Sequence, residues 1–267
     1  MLHELAGVLM ETATPTEQIQ SNIIASRSRD IVPITNLPEW REGRAVAVVG
    51  GGPSLKKHIH ELKNYGVIFA CGSVHDYLID NGIMPTYCVV VDPDPLVVNY
   101  LKNIYHVDNR CKYLLSSQCA PETFEHLKYN NTYIWHSGGN KSLFKDGDVV
   151  IGGGCTVGTR AMVISMCFGY NDMHLYGMDT CLSDEDKHHA YEFDNPEVEK
   201  IGPIHQIALG GRDGRTFKVA EYMLGQIFDF KNILGHCANR IRVKVIGGGA
   251  LAYILELAAK KQLELNK

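Results

Sequence analysis

Residues 48–58 read VVGGGPSLKKH, an apolar run entering three glycines, a proline and a helix-period segment. Glycine at Gly50, Gly51 and Gly52 lets the chain turn sharply and lets a ligand approach the backbone, and Pro53 suits the first position of a helix. The amides of Ser54, Leu55 and Lys56 would then point at an anion. The segment therefore predicts a phosphate cradle, with the Ser54 hydroxyl as a further donor; a plain strand-to-helix turn is the competing reading. A dinucleotide fingerprint would need a third glycine where Leu55 stands, and a P-loop would need a Gly-Lys-Ser/Thr run that is absent.

Three other segments carry chemistry-bearing side chains. VVVDPDPLVV places Asp92 and Asp94 two residues apart where an apolar strand ends, the edge at which open α/β sheets bind ligands. Carboxylates there coordinate Mg²⁺ beside a pyrophosphate or hold a ribose or sugar hydroxyl; Asp92 capping a helix near Pro95 is the competing reading. VVIGGGCTVGTR repeats the strand, glycine, helix pattern. Gly153, Gly154, Thr156 and Thr159 could meet a ribose or phosphate from the far side of the same cleft, or merely pack closely. MHLYGMDTCL brings Asp179 to another strand end, and KHHAYE supplies His188 and His189. A histidine near its ordinary pKa of about 6.5 is the natural base for a hydroxyl proton. Adjacent in sequence, the two are expected to present one ring to a given ligand, unless both are solvated loop residues.

Parallel strands and covering helices must position these groups. Short apolar runs at 45–50, 67–72, 86–92, 112–117, 132–137, 173–179 and 242–247 alternate with helix-period segments, the pattern of a mostly parallel α/β sheet with helices on both faces. Leu55, Ile59 and Leu62 recur at i, i+4 and i+7 and predict one covering helix. Residues 1–40 read as a helical lead-in and 41–267 as a single α/β domain. The alternation breaks in one irregular, charged insertion near 180–218, with a hairpin expected about GGRDGR. Helices are expected over 218–237 and 251–263. Glycine triplets recur at 50–52, 152–154 and 247–249.

Composition narrows the classes. The chain has 267 residues, 45% hydrophobic and 21% charged, enough for a sizeable core and incompatible with disorder or a coiled coil. With 26 Lys and Arg against 30 Asp and Glu, the net charge of −4 argues against a nucleic-acid backbone as main partner. No apolar run approaches the roughly 20 residues of a membrane span, and the N-terminus lacks a signal-peptide pattern. A soluble cytoplasmic protein without a membrane partner is expected. The 8 cysteines form no CxxC pair and read as small buried hydrophobes rather than zinc ligands.

Taken together, GGGPSLKKHIHELK, MPTYCVVVDPDP, and GGGCTVGTRAMVISMCFGYNDMHLYGMD followed by HHAYE resemble the 6-hydroxymethylpterin diphosphokinase MptE-like family. Its relatives include bacterial motility accessory factors and, more remotely, bacterial sialyltransferases with a GNGPSL motif. The resemblance spans about residues 44–190 and implies a Rossmann-like domain that binds a nucleotide at the GGGPSL turn. It implies a transferase: either a glycosyltransferase moving a sugar from a nucleotide-sugar donor to a hydroxyl acceptor, or an ATP- and Mg²⁺-dependent diphosphokinase acting on a pterin-like alcohol. In the first, Asp92 orients the sugar or ribose, His188 or His189 is the base, and no particular cofactor is implied. In the second, Asp92 and Asp94, with Asp179 as a further candidate, hold Mg²⁺. VVDPDP stands closer to the glycosyltransferase branch than to the TDLDG-like motif of the diphosphokinases. Compact members also resemble phage-encoded proteins, and a non-catalytic nucleotide-binding protein is a third reading. Donor base, acceptor and oligomeric state are not specified by these motifs.

Overall fold

A computed structural model describes residues 14–37, 44–106, 110–138, 141–194, 201–237 and 239–265. Eleven strands are described: β1 (Val32–Pro33), β2 (Ala45–Val49), β3 (Ile68–Cys71), β4 (Tyr87–Val90), β5 (Lys112–Ser116), β6 (Thr132–Ser137), β7 (Val150–Ile151), β8 (Asp172–Tyr176), β9 (Ile204–Leu209), β10 (Arg215–Ala220) and β11 (Arg242–Ile246). Nine form one sheet in the order β1-β6-β5-β4-β3-β2-β8-β11, with β7 against β6, and its pairings are parallel. The fold is α/β and Rossmann-like. The seven anticipated apolar runs each contain a strand, because a parallel strand buried on both faces is apolar throughout. The two-residue β1 and β7 are too short to leave a periodic signal.

The helices are α1 (Thr16–Arg27), α2 (Leu55–His58), α3 (His75–Asp80), α4 (Pro121–His126), α5 (Val157–Cys167), α6 (Glu221–Cys237) and α7 (Gly249–Leu265). Alternate side chains of β2 divide them between the two faces. Val46 and Val48 pack in one cluster with Ala161 and Met162 of α5, Ile227 and Phe230 of α6, and Leu251 and Ile254 of α7. Ala47 and Val49 pack in another with Leu55 and Leu78. The anticipated helix after the first glycine turn is shorter than its apolar spacing suggests. Only Leu55–His58 is α-helical, and Ile59–Asn64 continues as a tighter 3-10 turn, which still buries Leu55, Ile59 and Leu62.

The irregular insertion leaves β8 and crosses the carboxyl edge of the sheet before folding into the antiparallel pair β9–β10. Its turn uses Gly210 and Gly211 at φ 87° and 75°, a left-handed region costly to other residues. Strand β10 runs to Ala220, so α6 begins at Glu221 rather than near Lys218. Of the cysteines, Cys71, Cys88, Cys111 and Cys119 are buried as anticipated. Cys155 and Cys167 are exposed, and Cys181 and Cys237 are half-buried. No described helix is long and apolar enough to cross a membrane.

Candidate functional site

Chain direction around the sheet reverses at β2. From it the chain moves to β3 on one side, whereas β8 and β11 lie on the other. Such a switch point opens a crevice at the carboxyl ends of the strands. Here the turn after β2 meets the turn after β8. The Gly50 amide donates to the Tyr176 carbonyl and the Gly52 amide to the Gly177 carbonyl, each at 2.8 Å. A Cβ on Gly50 would stand 2.6 Å from the Gly177 oxygen, one on Gly52 would strike Asp179, and Gly177 itself has φ 57°. Two of the three glycines are thus required by backbone packed on backbone. Gly51 faces the other way, and a Cβ there would stand 2.5 Å from the Tyr191 hydroxyl and 2.6 Å from the His189 ring.

The anticipated phosphate cradle differs in its donors. The Ser54 amide and hydroxyl both donate to Asp179 Oδ2, at 3.1 and 3.0 Å. The Leu55 amide closes the turn onto the Gly52 carbonyl, and Leu55 itself is fully buried. Pro53 lies in that turn, ahead of the first helical residue. A carboxylate from this chain therefore holds the two Ser54 donors assigned to a phosphate, and the Leu55 amide is used within the turn. Burial pushes the Asp179 carboxyl up, and the two Ser54 hydrogen bonds oppose that rise. The third glycine triplet serves the same node. The Ala250 amide donates to the Asp179 carbonyl at 2.8 Å, and a side chain at Gly247 would meet Ser54 Oγ at 2.5 Å.

A cleft of about 110 Å³ opens beside this node. Gly50, Gly51 and Gly52 line one wall; Thr156, Val157 and Gly158 at the start of α5 line another; His188 and His189 of the insertion close it. Thr156 caps α5, its hydroxyl accepting from the Thr159 amide at 3.4 Å. Gly153 and Gly154 take φ 77° and 92°, and a side chain on Gly154 would collide with Thr159, so they shape this cap and do not line the cleft. The first-turn amides of α5 have no intrahelical acceptor, and the positive end of the helix faces the cleft.

Both histidines line the cleft, contrary to the expectation that only one would. Their ring centroids are 4.0 Å apart, because the segment bends here instead of extending. His188 is buried. The buried Nδ1 of His189 has no hydrogen-bond partner among the described residues. Burial, with His188 beside it, lowers the His189 pKa to about 3, far from the anticipated ordinary value. The ring is held neutral and is a weak base in the absence of a neighbouring negative charge. The Ala190 amide on the Gly51 carbonyl, at 2.8 Å, and the Tyr191 hydroxyl on the Ser73 carbonyl, at 2.7 Å, bind the segment across the glycine turn.

Asp92 and Asp94 stand apart from the cleft. Asp92 is exposed and accepts from the Asp94 amide at 3.0 Å, and Asp94 caps the 3-10 turn at Pro95 by accepting from the Leu96 amide at 2.8 Å. Asp94, not Asp92, is the cap. Neither joins Asp179, and no group of three His, Cys, Asp or Glu side chains among the described residues is placed to hold a metal. Residues absent from the sequence reading also line the cleft: Gly177, Thr180, and Tyr222, Met223 and Gln226 of α6. Tyr222 and Gln226 are spaced i, i+4, but α6 carries apolar residues on this face too, so the spacing alone did not mark them.

A family model described as 6-hydroxymethylpterin diphosphokinase MptE-like matches residues 21–185, more than half of the chain. A comparison with curated proteins returned no match. Among solved structures, the MAf glycosyltransferase from Magnetospirillum magneticum AMB-1 is similar in fold, with a TM-score of 0.67, 16% identity, and 88% of this chain covering 37% of that one. The chain thus spans little more than a third of that enzyme's length. A mammalian sialyltransferase aligns at a TM-score of 0.43 and 12% identity, over 92% of this chain and 85% of that one. With its glycine turn at the sheet's switch point and the family match running from α1 through β8 into the insertion, the chain belongs to the 6-hydroxymethylpterin diphosphokinase MptE-like family.

Proposed function

We propose that the protein is a transferase that binds an activated nucleotide donor in the cleft, and that it acts as a glycosyltransferase from a nucleotide-sugar to a hydroxyl acceptor. The observation that carries this reading is convergence: glycine turn, positive end of α5 and paired histidines line one crevice at the switch point. With Ser54 engaged by Asp179, the donor phosphate is best received by the Thr156 hydroxyl and the first-turn amides of Val157 and Gly158.

In this mechanism the acceptor oxygen bonds to the anomeric carbon while the bond from that carbon to the phosphate oxygen breaks. The acceptor proton passes to His188 or His189, and the departing nucleotide keeps the electron pair and its negative charge at the start of α5. Donor phosphate beside His189 raises the ring's proton affinity, so binding itself makes the base competent. The diphosphokinase reading finds less support, since Asp92 and Asp94 lie outside the cleft and are committed to local amides.

A thermal-shift panel of ATP, GTP, CTP, CMP and UDP, with and without Mg²⁺, tests the reading. At a hundredfold excess over Kd a true ligand stabilises by about 2.7 kcal/mol. Stabilisation by a pyrimidine nucleotide without metal, followed by sugar transfer from the matching donor, is the expected outcome. Stabilisation by ATP alone, dependent on Mg²⁺, would favour the diphosphokinase instead.

A further inference from the structure

A second cavity, of about 260 Å³, adjoins the cleft. Ser73 lines both, and Tyr191 stands between them, its hydroxyl on the Ser73 carbonyl and close to Gly51. Rings make up much of the wall. Tyr77 stacks on Tyr191 with centroids 4.6 Å apart and planes at 25°, and Phe193 packs at 5.0 Å from Tyr100 and 5.2 Å from Tyr191. His189 stacks on the same Tyr191, at 5.2 Å and 26°. The aromatic wall thus runs from this cavity to the imidazole of the cleft.

The charged groups of the lining are mostly acidic, beside the neutral side chains of Ser73, Asn99 and Asn103. Asp76, Asp80, Glu192 and Asp194 line the cavity with the cation Lys102, which pairs with Asp194 at 2.6 Å, while Glu192 pairs with Lys187 at 2.8 Å. Asp76 is already engaged, accepting from the amides of Lys102 at 2.8 Å and Asn103 at 3.1 Å and facing His75 at 2.8 Å. Asp80 accepts at 2.8 Å from the Asn103 side chain through one oxygen. Ionised carboxylates accept hydrogen bonds and cannot donate them. A partner with O–H or N–H donors for the free carboxylate oxygens and an apolar face for the rings suits this wall, and the excess of carboxylates disfavours an anion.

We infer that this cavity is the acceptor subsite and takes an uncharged or amino-bearing carbohydrate. The inference rests on the transferase reading above and adds the acceptor's chemical class. Sugar hydroxyls donate to Asp80 while the C–H face of the ring lies on Tyr100 and Tyr77, and the wall through Tyr191 delivers one hydroxyl to His189.

Saturation-transfer NMR on the full chain, with lactose, glucosamine, glucose 6-phosphate and 2-amino-4-oxopteridine as probes, tests it. Lactose and glucosamine should receive saturation, at least tenfold more than glucose 6-phosphate, and Tyr100→Ala should remove the lactose signal. Nucleotide-induced thermal stabilisation should persist in that variant, because Tyr100 does not line the donor cleft. Asp80 is exposed, so Asp80→Lys should fold and should bring up the glucose 6-phosphate signal. Binding of the pteridine without the sugars, a phosphate signal equal to that of lactose, or a lactose signal indifferent to both substitutions would each overturn the assignment. Sugar binding that responds to these substitutions in a protein no nucleotide stabilises would uphold the subsite while refuting the donor reading.

Discussion

Lowering the pH from 7 to 5 should destabilise the protein through His189. The ring is half-buried, its Nδ1 has no partner among the described residues, and burial lowers its pKa to about 3. Unfolded, the same ring titrates near its ordinary value of about 6.5. Above that value both states hold it neutral and it contributes no pH dependence. Below it the unfolded chain binds a proton that the folded chain refuses, so stability falls steadily until the folded value is reached. Linkage between these two values gives a loss of about 2 kcal/mol on going from pH 7 to pH 5. Other groups titrate over the same interval, so the quantity to measure is a difference. Urea unfolding at both pH values, for the wild type and for His189→Gln, yields two changes in stability whose gap should be about 2 kcal/mol. Gln keeps a polar side chain of similar reach without the titration. A saturating donor should also shrink the wild-type loss, because a phosphate beside the ring favours its protonated form. Equal pH dependence in the two proteins would refute the description of His189 as a buried neutral ring.

Ser54→Ala removes the hydroxyl hydrogen bond to a buried carboxylate and leaves the backbone amide bond in place, and should cost about 1–3 kcal/mol, read as a lower urea midpoint; a stabilised variant would mean that Asp179 finds other partners. Gly52→Val forces a side chain into Asp179 and the Gly177 carbonyl, so loss of folded protein on expression or a large drop in Tm is expected rather than a selective loss of ligand binding. Gly51→Ala presses instead on the flexible ends of Tyr191 and His189, and should leave the fold while lifting the insertion, seen as faster amide exchange at Ala190. His188→Ala with His189→Ala should lower turnover by about 10² to 10⁴ with donor affinity retained, measured by steady-state kinetics once the donor is known; full activity would remove histidine from the base's role.

The apolar runs and their spacing sufficed for the sheet, because parallel strands buried on both faces leave no other pattern. The motifs likewise sufficed to place GGGPSL, the start of α5 and the HHAYE segment beside one crevice, since strand ends of a parallel sheet share an edge. What the residues contact was decided only by the tertiary structure. Ser54 and Asp179 are 125 positions apart, and whether a serine amide meets a phosphate or a carboxylate depends on which strand lies beside β2. The same adjacency turned Gly50 and Gly52 into packing residues and drew the third triplet to Asp179. Asp92 and Asp94 stand two apart in sequence, but only the structure shows that each accepts a nearby backbone amide through one oxygen, the Asp94 amide at Asp92 and the Leu96 amide at Asp94, a short-range contact that competes for a carboxylate. The histidine pair was visible as chemistry, but its burial was not: a charged stretch reads as solvated until one sees it bound across the glycine turn. The aromatic cavity was invisible in advance, since Tyr77, Tyr100 and Tyr191 come from three separate segments and meet only where those segments are folded together.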